Sequence, residues 1–331
     1  MSTLYRTAQA FFCVCAMISP PLQAAQEQPP AAEAPPAPQA LQPPLPERSQ
    51  TQAQALERLL PKAEQQRLQA GEESFLALWK PANTSEPQGV LVIVPGAGET
   101  ADWPTTVGPL RRKFPDVGWH TLSLSLPDLL TDAPQARAPT PTTPAAAPGE
   151  SAPAKDTPAD ANANVAQATA AQADVADSTD AVDASDSSDQ ADAARIFARL
   201  DAALAFAEQQ GTRSIVLLGH GSGAYWAARY LSERQPAQVR KLVMISAQTP
   251  ARVEHDLEAL APTLKVPTAD IYYATREQDR RAAQQRLQAS KRQKDSQYRQ
   301  LLLIAMPGNT AAEQEQLLRR VRGWLSPQGS N

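Results

Sequence analysis

The segment Gly219-His220-Gly221-Ser222-Gly223-Ala224 gathers the residue types that acyl-transfer chemistry uses: a hydroxyl, an imidazole and closely spaced glycines. It follows the apolar run Ser214-Ile215-Val216-Leu217-Leu218 and leads into Tyr225-Trp226-Ala227-Ala228-Arg229-Tyr230-Leu231, which predicts strand, sharp turn and helix. In a nucleophile elbow, G-x-S-x-G, serine takes the third position, where a strained backbone presents its hydroxyl. Here the third position is Gly221, and the serine falls one residue later. Glycine adopts such a backbone at little steric cost. The expectation is a turn that is kept, relieved of strain and stripped of its attacking atom. Ser222 then opens the next helix. Its N–H is placed as an oxyanion donor, and its hydroxyl can bond orphan N–H groups of the first turn.

The elements that must position this turn alternate along the chain. Strands are predicted at Ser74–Trp79, Gly89–Val94, Trp119–Leu126, Lys241–Ile245, Ala269–Ala274 and Leu301–Met306. Helices are predicted at Val107–Phe114 and at Ala193–Gln209, whose apolar side is Ile196, Phe197, Leu200, Leu204 and Phe206. A last amphipathic helix carries Leu317, Leu318, Val321, Trp324 and Leu325. Alternation of this kind predicts an α/β fold with a doubly wound, mostly parallel sheet.

Composition limits how much of the 331 residues takes part. Residues 1–24 read as a signal peptide: Arg6 precedes a short apolar core from Ala8 to Ile18, and Leu22-Gln23-Ala24 suits cleavage. The run is too short to span a bilayer and no later one is longer, so no transmembrane segment is expected in the mature chain. Export, to a periplasm, is the expectation. Both cysteines, Cys13 and Cys15, lie in that signal, so the mature chain is expected to hold no disulfide, thiol nucleophile or thiolate metal site. Residues 25–50, rich in Pro, Ala and Gln, read as a linker, and 51–331 as the domain. An acidic stretch, 133–190, interrupts it; with almost no large apolar residue it is expected to be disordered. A net charge of −4 argues against nucleic-acid binding. The basic run from Arg276 to Arg299 is expected to be a solvated helix face, contact with the acidic insertion or with anionic envelope polymers being the alternatives.

With the turn Pro95-Gly96-Ala97-Gly98 after one strand and the Gly219–Ala224 turn after another, the chain resembles the α/β-hydrolase superfamily from about Leu56 to Leu325. It is similar to an uncharacterised family of exported bacterial α/β-hydrolase-like proteins. Ser74-Phe75-Leu76-Ala77-Leu78, Asp102-Trp103-Pro104 and Gly118–Pro127 carry the rest of the likeness. The resemblance implies a triad in chain order: serine at the elbow, an acid after the next-but-one strand, histidine after the last. Gly221 stands at the first position. Asp279, or less well Glu277, can fill the second, although Asp279 also reads as a surface ion-pair partner. At the third the chain runs Pro307-Gly308-Asn309-Thr310, and no histidine follows His255. Of the three histidines, His120 starts a strand far from the strand ends. His220 holds the variable elbow position, where relatives use histidine for packing and hydrogen bonding. His255 is expected in a helical segment that could overhang the cleft.

Two functions follow. One is a degenerate hydrolase that binds a small ligand or an envelope protein without triad catalysis. The other is an esterase-like serine hydrolase using displaced Ser222 with His220 or His255, and Asp279. Ligands of such sheets sit beyond the carboxyl ends of the strands. The side chains expected there are Glu99, Asp102, Trp103, Asp128, His220, Ser222, Gln248 and Asn309. The backbone of Gly96, Ala97, Gly98 and Gly221 offers N–H groups able to hold an oxyanion or carboxylate. Glu99, Asp102 and Asp128 carry no metal signature, no phosphate or dinucleotide loop is present, and no cofactor is expected.

Overall fold

The computed structural model describes residues 47–131, 175–212, 214–275 and 277–326, the side chains of 175–186 excepted. All belong to one compact unit, Pro46–Asn331. The expected signal peptide, nearly all of the linker and residues 133–174 of the acidic insertion lie outside them.

Eight strands form one sheet among these residues: β1 (Gln65–Ala70), β2 (Glu73–Lys80), β3 (Gly89–Val94), β4 (Trp119–Leu124), β5 (Ile215–His220), β6 (Val239–Ile245), β7 (Thr268–Tyr273) and β8 (Tyr298–Leu303). Their order is β1-β2-β4-β3-β5-β6-β7-β8. β2 runs antiparallel to both neighbours, β1 and β4, and all other pairs are parallel. This is the α/β-hydrolase architecture. The helices are α1 (Arg48–Leu59), α2 (Val107–Lys113), α3 (Val175–Gln209), α4 (Ser222–Arg234), α5 (Leu257–Leu260), α6 (Glu277–Arg292) and α7 (Thr310–Leu325).

The unbroken apolar run of β3 follows from its place at the sheet centre, where both faces are covered. Val90, Val92 and Val94 join Ile196, Leu200 and Leu204 of α3 and Trp226 of α4 in one core. Leu91 and Ile93 point the other way, into a second core with Leu110 of α2 and Leu317, Val321 and Leu325 of α7. β6 divides likewise, Leu242 and Met244 to the first core and Val243 and Ile245 to the second. Because β4 and β5 flank β3, the chain leaves β3 in opposite directions, and the crevice at that switch point is where open sheets bind ligands.

Four expectations need correction. Helix α3 begins at Val175, so the acidic insertion is helical well before residue 190. Within it Asp189 is buried against Arg229 at 2.7 Å, and just beyond it Asp192 accepts the N–H groups of Leu130 and Thr131. These carboxylates fix the helix where composition reads as disorder. Ordered structure also starts before residue 51: α1 opens at Arg48 and is held by Glu47 to Arg195 (2.6 Å) and by Asp128 to the Ser49 N–H (3.1 Å). Strand β8 lies three residues before the predicted one. Tyr298 and Gln300 are drawn into the strand because both bond the buried Asp270, whose carboxylate also takes Arg286 Nε at 2.9 Å. Arg286 is therefore buried rather than solvated, while Arg280 and Arg281 on the same helix pair with Glu277 at the surface. Strand β1, Gln-Gln-Arg-Leu-Gln-Ala, was not foreseen: an edge strand this polar carries little apolar alternation.

Replacing Asp189 by alanine leaves the Arg229 guanidinium buried with Glu233 alone, and removing one partner of such a pair costs about 3 kcal/mol. Urea unfolding of Asp189→Ala is expected to show a loss of that order; an unchanged midpoint would mean that the pair does not hold α3 to α4.

Candidate functional site

Strand β5 ends at His220, and Gly221 turns the chain into α4 with φ 55° and ψ −126°. The positive φ is the conformation an elbow demands, and glycine holds it without the penalty a side chain would add. Gly221 is pinned from both sides: its N–H donates to Ile245 O (3.0 Å), and its carbonyl accepts from the Gln248 N–H (3.1 Å). A Cβ at this position would meet nothing nearer than the Gly96 Cα at 3.8 Å, so the place of a nucleophile is open space.

The polar groups around that space are bonded to one another. Nδ1 of His220 lies 2.8 Å from the Glu99 carboxylate, which also accepts the Gly96 N–H at 2.7 Å. That carboxylate favours a proton on Nδ1, and Nε2 is turned to the Thr106 hydroxyl at 3.3 Å. His220 thus faces Thr106 and not Ser222. The Ser222 oxygen accepts the N–H of Ala97 at 2.7 Å. In this fold the oxyanion donors are the N–H after the nucleophile and one from the loop after β3. The N–H groups of Gly96 and Ala97 in that loop are already taken by side chains of the chain itself.

A cleft of about 740 Å³ opens above the elbow and is lined by Gly96, Ala97, Glu99, His220, Gly221 and Ser222 together with the loops after β6, β7 and β8. Asp279 borders it and is hydrogen-bonded or ion-paired to no described residue, which corrects its reading as a surface ion-pair partner. Gln248 lines it as expected. Thr106, Tyr273 and Glu313 are among the lining residues that the sequence pattern did not single out. Thr106 immediately precedes α2. Tyr273 ends β7, a position at the carboxyl edge of a predicted strand that could have singled it out. Glu313, in the first turn of α7, accepts the Met306 N–H at 3.1 Å. Burial raises the Tyr273 phenol above its ordinary pKa, and the Glu313 carboxylate adds to the shift.

Other expected members lie elsewhere. Asn309 caps α7, its side chain accepting the Ala312 N–H at 3.1 Å. Asp128 turns to Arg48 and Ser49, and the Arg48 guanidinium also covers Gly98. Asp102 bridges buried Arg111 and exposed Arg112, so it, Glu99 and Asp128 serve three separate partners. Trp103 packs against the second core. His255 lies before α5 rather than in a helix; it is exposed beside Glu254 and does not line the cleft.

His120 begins β4, remote from the elbow, stacked on Trp79 with its Nδ1 accepting the Ala82 N–H at 3.0 Å. Burial lowers its pKa from 6.5, so the unfolded chain takes up the proton first. The neutral ring stabilises the fold above pH 6.5, and that contribution is lost as pH falls through the depressed value. Unfolding free energy measured against pH is expected to fall less steeply below 6.5 in His120→Gln than in the parent; parallel curves would refute this.

Among solved structures the chain is similar to a dienelactone hydrolase from Anabaena variabilis, with 15% identity, a TM-score of 0.48 and coverage of 79% of this chain and 97% of the other. An α/β serine hydrolase homologue from Coxiella burnetii is similar at 12% identity and TM-score 0.46, with 79% and 99% covered. Est1E from Butyrivibrio proteoclasticus is similar at 8% identity and TM-score 0.46, with 78% and 99% covered. No curated protein matches the sequence. The family described as "Protein of unknown function (DUF3530)" matches residues 8–327, and the chain belongs to it.

Proposed function

We propose that this chain is an exported, non-hydrolytic member of its superfamily that binds a small ligand in the cleft over Gly221. The observation that carries this reading is the inward pairing of the site. The attacking position is glycine, the imidazole serves Glu99 and Thr106, and the Ser222 hydroxyl holds the Ala97 N–H. Acyl transfer needs a nucleophile, a base aimed at it and a free oxyanion hole, and a missing base alone costs on the order of 10³–10⁴ in rate. The cleft, by contrast, is large enough for a small molecule and lies where this class of sheet binds ligands.

The rival reading, a displaced serine nucleophile, is tested directly. Protein treated with a fluorophosphonate probe is expected to remain unlabelled; labelling at Ser222, or at the Thr106 hydroxyl that His220 faces, would replace binding by hydrolysis. Introducing Gly221→Ser is expected to leave p-nitrophenyl ester turnover at the parent's background, because no imidazole faces the new hydroxyl. Export rests on the apolar run after Arg6 and the small residue at Ala24. The periplasmic protein is expected to begin at Ala25, and recovery of an intact Met1 terminus in the cytoplasm would remove that part of the proposal.

A further inference from the structure

We infer that the cleft over the elbow takes a hydroxyl-rich small molecule carrying an ammonium group and turns anions away. The inference rests on the binding reading above and names the ligand's chemistry. The scaffold's usual means of holding a negative charge is backbone N–H groups directed into the cleft. Here the Gly96 N–H is taken by Glu99, the Ala97 N–H by Ser222 and the Gln248 N–H by the Gly221 carbonyl, which leaves the Ser222 N–H, first of α4, as the elbow donor still open to a ligand oxygen.

The charges on the wall point the same way. The described lining residues include three carboxylates, Glu99, Asp279 and Glu313, and no lysine or arginine. The one imidazole of the described lining, His220, has its Nδ1 against the Glu99 carboxylate and its Nε2 against the Thr106 hydroxyl. An incoming carboxylate or phosphate would meet like charge across a partly desolvated space, where repulsion is screened less than at the surface. Two of the three carboxylates are engaged: Glu99 with His220 and the Gly96 N–H, Glu313 with the Met306 N–H. Asp279 bonds none of the described residues and so is the acceptor available to a ligand ammonium.

The remaining wall favours hydroxyl groups over an acyl chain. Ser246, Thr249, Thr275 and Thr310 carry hydroxyls and Gln248 an amide beside the Tyr273 phenol, while Leu129, Pro250 and Leu317 supply apolar faces on which a sugar ring can pack. Hydroxyls both donate and accept, so they match a polyol at many orientations, whereas a buried hydrocarbon would leave them unpaired. A volume of about 740 Å³ accommodates a disaccharide.

Three probes of one size separate the charge classes: the β-1,4-linked glucosamine disaccharide, cationic at mildly acidic pH, neutral cellobiose, and anionic digalacturonate. Calorimetric titration is expected to rank them in that order, the cation ahead of cellobiose by about tenfold and digalacturonate weakest. Asp279→Asn is expected to erase the cation's advantage and leave cellobiose binding unchanged, with an unaltered melting curve as the check on folding. Digalacturonate binding as tightly as the cation, a cation advantage that survives Asp279→Asn, or no binding by any of the three would overturn the inference. Fluorophosphonate labelling separates this failure from that of the binding reading: sugars without effect on an unlabelled elbow reject the ligand class alone, and a labelled elbow rejects the reading beneath it.

Discussion

Two backbone approaches seat α4 against the sheet, and the site depends on both. A Cβ on Gly223 would stand 2.3 Å from the carbonyl oxygens of Val94 and Pro95, and one on Gly219 would stand 2.3 Å from the Ala224 Cα. No side chain fits either place. Because α4 lies this close to the end of β3, the Gly96–Glu99 loop comes within hydrogen-bond reach of Ser222 and His220. Gly221 differs from its neighbours in kind: it is required by its positive φ, while the space beside it is free. The flanking glycines serve packing and the central one serves conformation, so the turn outlasts the loss of the residue it presents in active hydrolases.

The same closeness explains why the site's polar groups satisfy one another. Buried donors and acceptors are costly when unpaired. In a hydrolase the elbow hydroxyl and substrate share that duty; with glycine in the third position, the neighbouring side chains take it over. Glu99 alone serves the Gly96 N–H and His220, and Ser222 occupies the Ala97 N–H. What remains unclaimed is the upper wall of the cleft, where Asp279 stands without a partner among the described residues.

Legibility followed the strength of local pattern. β3 was readable to the residue because both its faces are buried, and α7 because Leu317, Val321 and Leu325 recur at helical spacing. The elbow was legible as a turn with a missing nucleophile. The pairing of Glu99 with His220 was not, since the two residues are 121 apart in the chain and neither is unusual alone. Arg286 and Asp189 misled for a related reason. Each sits in a stretch whose composition is that of solvent-facing chain, and each is buried against opposite charge from another element, Asp270 and Glu258 for Arg286 and Arg229 for Asp189, which composition does not reveal. The shift of β8 has the same origin, in the buried Asp270 that Tyr298 and Gln300 satisfy.

The anchorage of α1 bears on mechanics. Glu47 is held by Arg195, while Arg48 and the Ser49 N–H are held by Asp128, and the Arg48 guanidinium lies over Gly98. Tension on the chain preceding residue 47 would therefore enter the domain beside the Gly96–Glu99 loop, which the Ala97 N–H ties to Ser222 of the elbow. Load and ligand would act on adjoining parts of one short turn. A pull at the amino-terminal side and occupancy of the cleft are thereby placed in direct structural series.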